Sequence, residues 1–475
     1  PELDGNSGVP TTVAASGNAY QLTITTTNNI PIRAGLYAGG IIGYSEKDSR
    51  LLLKDCKNSG DIAQNAASSW GWKSGVSLAA YVNSHEIGKT GLPSEADNVK
   101  MHFAGGIISV NLENQVIDNC SNTGNMSGYS GTGGVVGLNA GLVYNCKLNQ
   151  HFGSATISYI GGIAGINVGT NQNTTKSYKD ISYTAGTIQK CTTLQNKTVS
   201  GSSNVGGLVG WNLNDGVLTN NTSNANISAS GNANAGGLAG RNNGKIIVKG
   251  AGGTAQTVTR GVSAGNAEAV GGLVGLNEQN GTITVTGNAG TNGEIVAVDD
   301  GVSINGSTKV GGVVGINHGT VGEKGSGTTL KYLTCKANSV RASHGYAGGI
   351  VGETNGDILC AVNRAATVTA DEGTAGGITA VNNAGKTISN CTNYGNVTSS
   401  NGHASGIVAE NAGTIDDCIV KSDKLTTTTE IYSRGVDEIG AITSLNTGVV
   451  RNSKTEKNVL LRGDASIFGG LVGSN

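Results

Sequence analysis

The sequence predicts an all-β fold, a parallel right-handed β-solenoid wound from coils of roughly 28–30 residues. Three observations predict it: a motif that returns thirteen times, fixed residues at steps of two within that motif, and a composition of 78 Gly, 4 Pro and 4% aromatics in 475 residues. An apolar share of 37% is thin for one large globule, so the core is expected to be narrow and long. Glycine in excess without a Gly-X-Y period excludes collagen.

The motif opens with Gly-Gly and an aliphatic residue, at Gly39, Gly105, Gly133, Gly161, Gly206, Gly236, Gly271, Gly311, Gly348, Gly376 and Gly469, with near-matches at Ser405 and Gly440. Six of the twelve intervals are 28 to 30 residues, and the longer ones read as insertions. The 66-residue interval after Gly39 is long enough to hold a degenerate copy near Val76 to Asn83. The residue after the pair is Ile, Leu or Val in all 13 copies, two positions on it is small, and two further on it is Asn in 11 copies. The position between is free, holding Leu138, Trp211, Arg241 or Glu410. Fixed residues at steps of two mark a strand. Aliphatic, small and Asn are therefore expected inside, with the free position facing water.

After the Asn come Gly, an aliphatic residue, then Asn or Asp before Cys, as in Asn139-Ala140-Gly141, Val143 and Asn145-Cys146. A third segment follows, as in Cys391-Thr392-Asn393-Tyr394-Gly395. Asn and Gly recur where the chain must turn, because both tolerate positive φ cheaply. About three short strands per coil, in a triangular section, are the expectation. One coil cannot bury its aliphatic face alone, so coils must stack about 4.8 Å apart, like on like, into a rod of roughly 60–70 Å. Inward Asn side chains then form amide ladders. Parallel crossover connections favour the right hand. Residues 1–34 read as a cap or preceding coil and 35–475 as the solenoid, with insertions near 63–103, 169–186, 287–309 and 320–331.

The repeated Gly-aliphatic-x-Gly, literal in Gly207-Leu208-Val209-Gly210, Gly237-Leu238-Ala239-Gly240 and Gly272-Leu273-Val274-Gly275, resembles the GLUG motif. The resemblance covers roughly residues 35–475. GLUG repeats occur in large secreted and surface proteins of bacteria, among them adhesin-like proteins and the non-catalytic N-terminal region of immunoglobulin A1 metallopeptidases. The resemblance implies a scaffold on the bacterial surface or outside the cell, and it specifies no site.

Composition and motifs argue against several functions. The formal net charge is −1 with no basic cluster, whereas nucleic-acid affinity needs one, so no nucleic-acid partner is expected. No apolar run approaches the ~20 residues that span a bilayer, so no membrane insertion is expected in this segment. Pro1 to Asp4 lacks a basic-then-apolar leader and the chain stops within a repeat at Asn475, so a segment of a longer protein is expected. His85-Glu86 is followed by Ile-Gly-Lys-Thr, so the zinc-peptidase pattern is missing, and no C-x-x-C occurs. Asn stands where calcium-binding nonapeptide repeats need Asp. No catalytic, cofactor or metal residues are assigned.

The eight cysteines, at 56, 120, 146, 191, 335, 360, 391 and 418, read as a buried, stacked, mostly reduced column. Stacked pairs such as Cys120 and Cys146 would also stand at separations a disulfide tolerates, so bridges remain open. Two features are candidate ligand-binding sites. The insertion from Ala63 to Phe103 concentrates Trp70, Trp72 and Tyr81, residue types that dominate binding hot spots. Arg462-Gly463-Asp464 is the tripeptide that integrins recognise. The leading expectation is a structural and adhesive module, not an enzyme, whose partners are host glycans or extracellular matrix proteins and further domains of the same longer chain. The alternatives are a substrate-handling scaffold of a secreted metallopeptidase and a glycan-active β-helix enzyme, the last needing an acid cluster on successive coils.

Overall fold

The computed structural model describes all residues except 1, 5–9, 12–21, 35, 47–48, 65–75, 85–99, 129, 154–156, 170–173, 252–256, 291–292, 325–329, 424–427 and 437. The described chain consists almost wholly of short strands paired in parallel with counterparts from neighbouring coils, a parallel β-solenoid. Two compact units are distinguished, Pro1–Asn226 with Asn243–Lys245, and Ile227–Asn242 with Ile246–Asn475.

In the first unit the coil around Gly133 shows the pattern. Ser130–Gly133 lies between Phe103–Gly105 and Ser158–Gly161, glycine on glycine. Val136–Asn139 lies between Ile108–Asn111 and Ala164–Val168, asparagine on asparagine. Leu142–Tyr144 then pairs with Val116–Asp118 and Thr187–Gln189, and Lys147–Leu148 with Ser121–Asn122 and Thr192–Thr193. Phe152–Gly153, paired to Thr198–Gly201, completes the turn. A coil thus holds five short strands where about three were expected, because the Gly pair and the Cys corner each break a wall in two. In the second unit the same places recur, with Val274–Asn277 between Ala239–Asn242 and Val314–Asn317. There the strand before the Gly pair fuses with its predecessor into Ser339–Gly348 and Thr367–Gly376, each ten residues long.

The Gly pair is a steric requirement of the corner in most coils, Ser405 and Ala441 each taking one of its two places elsewhere. A Cβ on Gly271 would stand 2.0 Å from the Val274 carbonyl oxygen, and one on Gly272 2.1 Å from that of Gly312 in the next coil. Neither approach is compatible with a side chain, so sequence bends where the pair falls. The following aliphatic residues stack as expected: the Ile107, Val135 and Ile163 amides donate to the Val135, Ile163 and Leu208 carbonyls at 2.9–3.0 Å, and all four side chains are buried.

The inward asparagines form ladders. Nδ2 of Asn111, Asn139 and Asn167 donates to Oδ1 of Asn139, Asn167 and Asn212 at 2.7 Å. In the second unit Asn242 donates to Asn277 and Asn277 to Asn317, each at 2.8 Å. The copy that carries Thr354 interrupts the run: Asn317 donates to the Thr354 hydroxyl at 3.1 Å, and that hydroxyl donates to the Gly356 carbonyl at 2.7 Å. Oδ1 of Asn382, next in the column, is buried without a hydrogen-bond donor. A second ladder runs through Asn28, Asn58 and Asn122 in the first unit, at 2.8 Å per step.

All eight cysteines are buried and unbridged. The amides of Cys120 and Cys146 point at Sγ of Cys146 and Cys191, each 3.4 Å away, so these thiols stand one above another. The residue before each sits in the left-handed region, with φ of 52° at Asn119 and Asn145 and 54° at Lys190. In the second unit Cys360 itself takes that left-handed place, φ 51°, and Ala361 takes the column.

Three boundary expectations need correction. Val76 to Asn83 is no coil: it holds a short strand, Val76–Ser77, and the helix Leu78–Ser84. The copies at Gly39 and Gly105 are immediate neighbours, Tyr37–Gly39 pairing directly with Phe103–Gly105, so the long interval is one coil plus an insertion. The stretch 287–309 is mostly wall, since Glu294–Val298 pairs with Tyr332–Cys335 and Ser303–Gly306 with Ser339–Gly348. Thr320–Val321 is likewise a wall strand. Residues 22–34 supply strands in register with the next coil, as a preceding coil would.

Candidate functional site

The place where the coil surface is most differentiated is the outer face of the Gly-pair corner. Two columns border it: the residue two before the pair, and the free residue between the small position and the Asn. In the first unit these read Tyr37, Phe103, Gly131, Tyr159 and Asn204, and Tyr44, Val110, Leu138, Ile166 and Trp211. The expectation that the free position faces water fails here, for Leu138 and Trp211 are fully buried. The reason is the insertion: helix Leu78–Ser84 lays Leu78, Tyr81 and Val82 on this face and shares one apolar cluster with Val110, Leu138, Ile166 and Trp211. Tyr81 is 2% exposed, its ring centroid 5.1 Å from Phe103 and 6.2 Å from Tyr37. Tyr81, a candidate ligand-binding residue, thus spends its area in holding the insertion down. Trp70 and Trp72 lie outside the described residues.

The insertion 169–186 is pinned in a similar way on another wall. Lys176–Tyr178 and Ile181–Tyr183 form an antiparallel pair whose Tyr178 and Tyr183 pack with Val116 and Leu142. The Tyr178 hydroxyl donates to Asp118 Oδ2 at 2.8 Å, and Lys179 Nζ to the same oxygen at 2.6 Å.

In the second unit the corner carries polar groups. The first column reads Asn234, Ala269, Lys309, Tyr346, Thr374, His403, Glu438 and Ile467, and the second Arg241, Leu276, Ile316, Glu353, Val381, Glu410, Leu445 and Ser474. Lys309 Nζ stands 3.1 Å from Glu353 and 3.6 Å from Glu268. Burial pulls the Lys309 pKa down, but the bond to Glu353 and the charges of Glu353 and Glu268 outweigh it and the net direction is up. His403 Nδ1 lies 3.2 Å from Glu410 Oε1 and Nε2 lies 3.6 Å from Glu438 Oε2. The bond to Glu410 raises the His403 pKa against the pull of burial, with Glu438 adding to the rise. Glu410 is lowered in turn by His403, despite burial, and receives the Thr374 hydroxyl at 3.0 Å. Arg241 meets Glu278 at 2.8 Å. This is a half-buried, ion-paired strip, each member drawn from a different coil or a different strand. Sequence reading overlooked it. Aligning the repeats and reading the position two before each Gly pair would have displayed the column.

Farther round the coil Arg364 grips Glu294 through Nε and Nη2 at 2.7 and 2.8 Å, holds Asp423, and stacks 3.9 Å above the Tyr394 ring. A hollow of about 230 Å³ lies against Arg364, Tyr394, Asn396, Asp423 and Thr429.

The tripeptide Arg462-Gly463-Asp464 is exposed at the end of strand Val459–Gly463. Arg462 Nη1 donates to Glu430 Oε1 at 3.1 Å, and Asp464 Oδ1 accepts from the Gly435 amide at 2.9 Å. Both charged arms thus lie along the preceding coil. No helix among the described residues is long and apolar enough to cross a membrane. No protein-family model, curated protein or solved structure matches the chain.

Proposed function

We propose that the chain is a structural and adhesive repeat module, of the GLUG type, from a large secreted or cell-surface bacterial protein. The observation that carries this reading is the contrast between constant inner columns and variable outer ones. Aliphatic, asparagine and cysteine positions repeat and satisfy one another from coil to coil, which makes a scaffold whose stability depends on nearest neighbours. The outer corner columns change from coil to coil, from aromatic and apolar to Lys, His and Glu. A scaffold that tolerates such exchange suits presentation of surface to host glycans or extracellular matrix proteins.

Beads coated with the chain, presented to arrays of glycans and matrix proteins, test the adhesive part. Saturable capture that Glu353→Lys or Arg462→Ala diminishes supports it, and absence of capture across the arrays overturns it. Single-molecule stretching tests the structural part. Extension in steps of one coil supports it, whereas a single smooth extension at low force opposes it.

A further inference from the structure

We propose that His403 is a pH-dependent clip that ties three consecutive coils of the second unit together, closed when its imidazole carries both ring protons. Its side chain is 17% exposed and wedged between two carboxylates, Glu410 of its own coil at Nδ1 and Glu438 of the next coil at Nε2. Glu410 is shared with the preceding coil through the Thr374 hydroxyl. Thr374, His403 and Glu438 occupy one column in successive coils, so the chain of contacts runs along the stacking direction.

The geometry selects the protonation state. Carboxylates only accept, so both ring nitrogens must donate to serve both partners. A neutral ring has one N–H, and one carboxylate then faces a lone pair. The contact to Glu438, at 3.6 Å, is a charge pairing longer than a hydrogen bond and is the one to release first. The groups facing the ring are Glu410 from strand Val408–Asn411, Glu438 from strand Glu438–Gly440 and the neutral Thr374 from strand Thr367–Gly376. Tyr346, Glu353 and Lys309 continue the same strip towards earlier coils, and Asp437 lies outside the described residues. His344 makes a useful contrast: it faces Glu372 at 3.4 Å, but both side chains are about two-thirds exposed, so water screens the pair.

The sign follows from the two shifts. His403 is held above its ordinary value, so its contribution is fully present below the ordinary imidazole range and is lost as pH rises through the raised value. Glu410 is held below its ordinary value, so its contribution is present above the ordinary carboxylate range and is lost as pH falls through the lowered value. The clip is therefore tightest between those two ranges, in mildly acidic solution, and loosens towards alkaline pH.

Ring-proton NMR of the full chain, with the His403 signal assigned by its loss in His403→Gln, gives the titration directly. His403 is expected to titrate above the ordinary imidazole range, and Glu438→Gln is expected to bring it down. Amide protection, corrected for intrinsic exchange, is expected to fall several-fold at residues 374–376, 404–411 and 438–440 as pH rises from about 5.5 to about 8.5, the span across which imidazoles discharge. In His403→Gln that fall should vanish. A His403 that titrates within or below the ordinary imidazole range, protection that stays level in the wild type, or an identical fall in His403→Gln overturns the clip. Should His403→Gln fail to fold, Glu438→Gln and the wild-type titration decide the matter.

Discussion

The same corner of the coil is built twice in this chain and used in two ways. In the first unit its outer face is apolar and is covered by the chain's own helix, with Trp211, Leu138 and Tyr81 sealed together. In the second unit it carries Lys309, Glu353, His403, Glu410 and Glu438, paired with one another and in part exposed. The inner columns hardly differ between the two. Inner positions thus decide the fold, and outer positions decide what lies on it. Burial of an outer column requires a segment shaped to cover it, and the insertion after residue 63 supplies that segment.

Removing the largest buried side chain of the covered face should break the contrast hardest. Trp211→Ala is expected to destabilise the first unit by about 3–5 kcal/mol, the usual cost of emptying a large aromatic site. Tyr159, held at φ 53° with its ring stacked 5.4 Å from Trp211, loses its support in the same step. Glu353→Ala, at the matching place in the second unit, removes a part-exposed ion pair and should cost about 1 kcal/mol or less, since Lys309 keeps Glu268. Hydrogen exchange in each unit, read separately, measures both. Equal losses would mean that the two faces are covered alike.

The inner ladder should behave the same way in both units. Asn167→Leu and Asn277→Leu each remove an amide that donates to one neighbour and accepts from another, leaving buried partners unpaired. Each is expected to cost about 1–3 kcal/mol. Because the stack is held by nearest neighbours, lost protection should be confined at first to the altered coil and those beside it. A cost below that range in either unit would show that water or side-chain rearrangement replaces the ladder there.

These inner columns were legible in sequence because each residue is fixed by identical neighbours above and below, so one copy predicts the next. Gly134, Val135 and Asn139 repeat for that reason. The five-strand coil was not legible, since the bends at the Gly pair and before Cys146 depend on how tightly the backbone closes. Leu138 and Trp211 read as free positions because nothing within their own repeat shows that a helix from residues 78–84 lies on top of them. The juxtaposition of His403, Glu410 and Glu438 needs the coil register as well as the sequence, for His403 and Glu438 are distant in sequence yet adjacent in their column.

The interruption at Thr354 offers a gain in place of a loss. Its hydroxyl is committed to Gly356, and Asn382 Oδ1 beyond it has no donor. Thr354→Asn places an amide in the column that can accept from Asn317 and donate to Asn382, as Asn277 does between Asn242 and Asn317. Satisfying a buried acceptor in this way is expected to stabilise the second unit by on the order of 1–2 kcal/mol. Denaturation followed in that unit checks it. A neutral or destabilising outcome would mean that Thr354 is favoured by its Gly356 turn more than the ladder is by continuity.

The smallest effect expected is at the cysteines, and it divides the two units most cleanly. Burial pushes the thiol pKa well above the ordinary range at Cys120, Cys146 and Cys391, to about 12 at Cys335, and upward at Cys360. Thiolate is the reactive form, so a thiol reagent should find almost nothing to modify in the folded chain at neutral pH. Unfolding without reductant should release all eight, and a smaller number would reveal bridges. Under native conditions labelling then reports opening of each unit through its own set: Cys56, Cys120, Cys146 and Cys191 in the first, Cys335, Cys360, Cys391 and Cys418 in the second. Trp211→Ala should hasten modification of the first set and leave the second at its wild-type rate, because the covered face belongs to the first unit alone. If both sets speed up together, the units open as one, and the outer face of the first contributes to the stability of the whole chain.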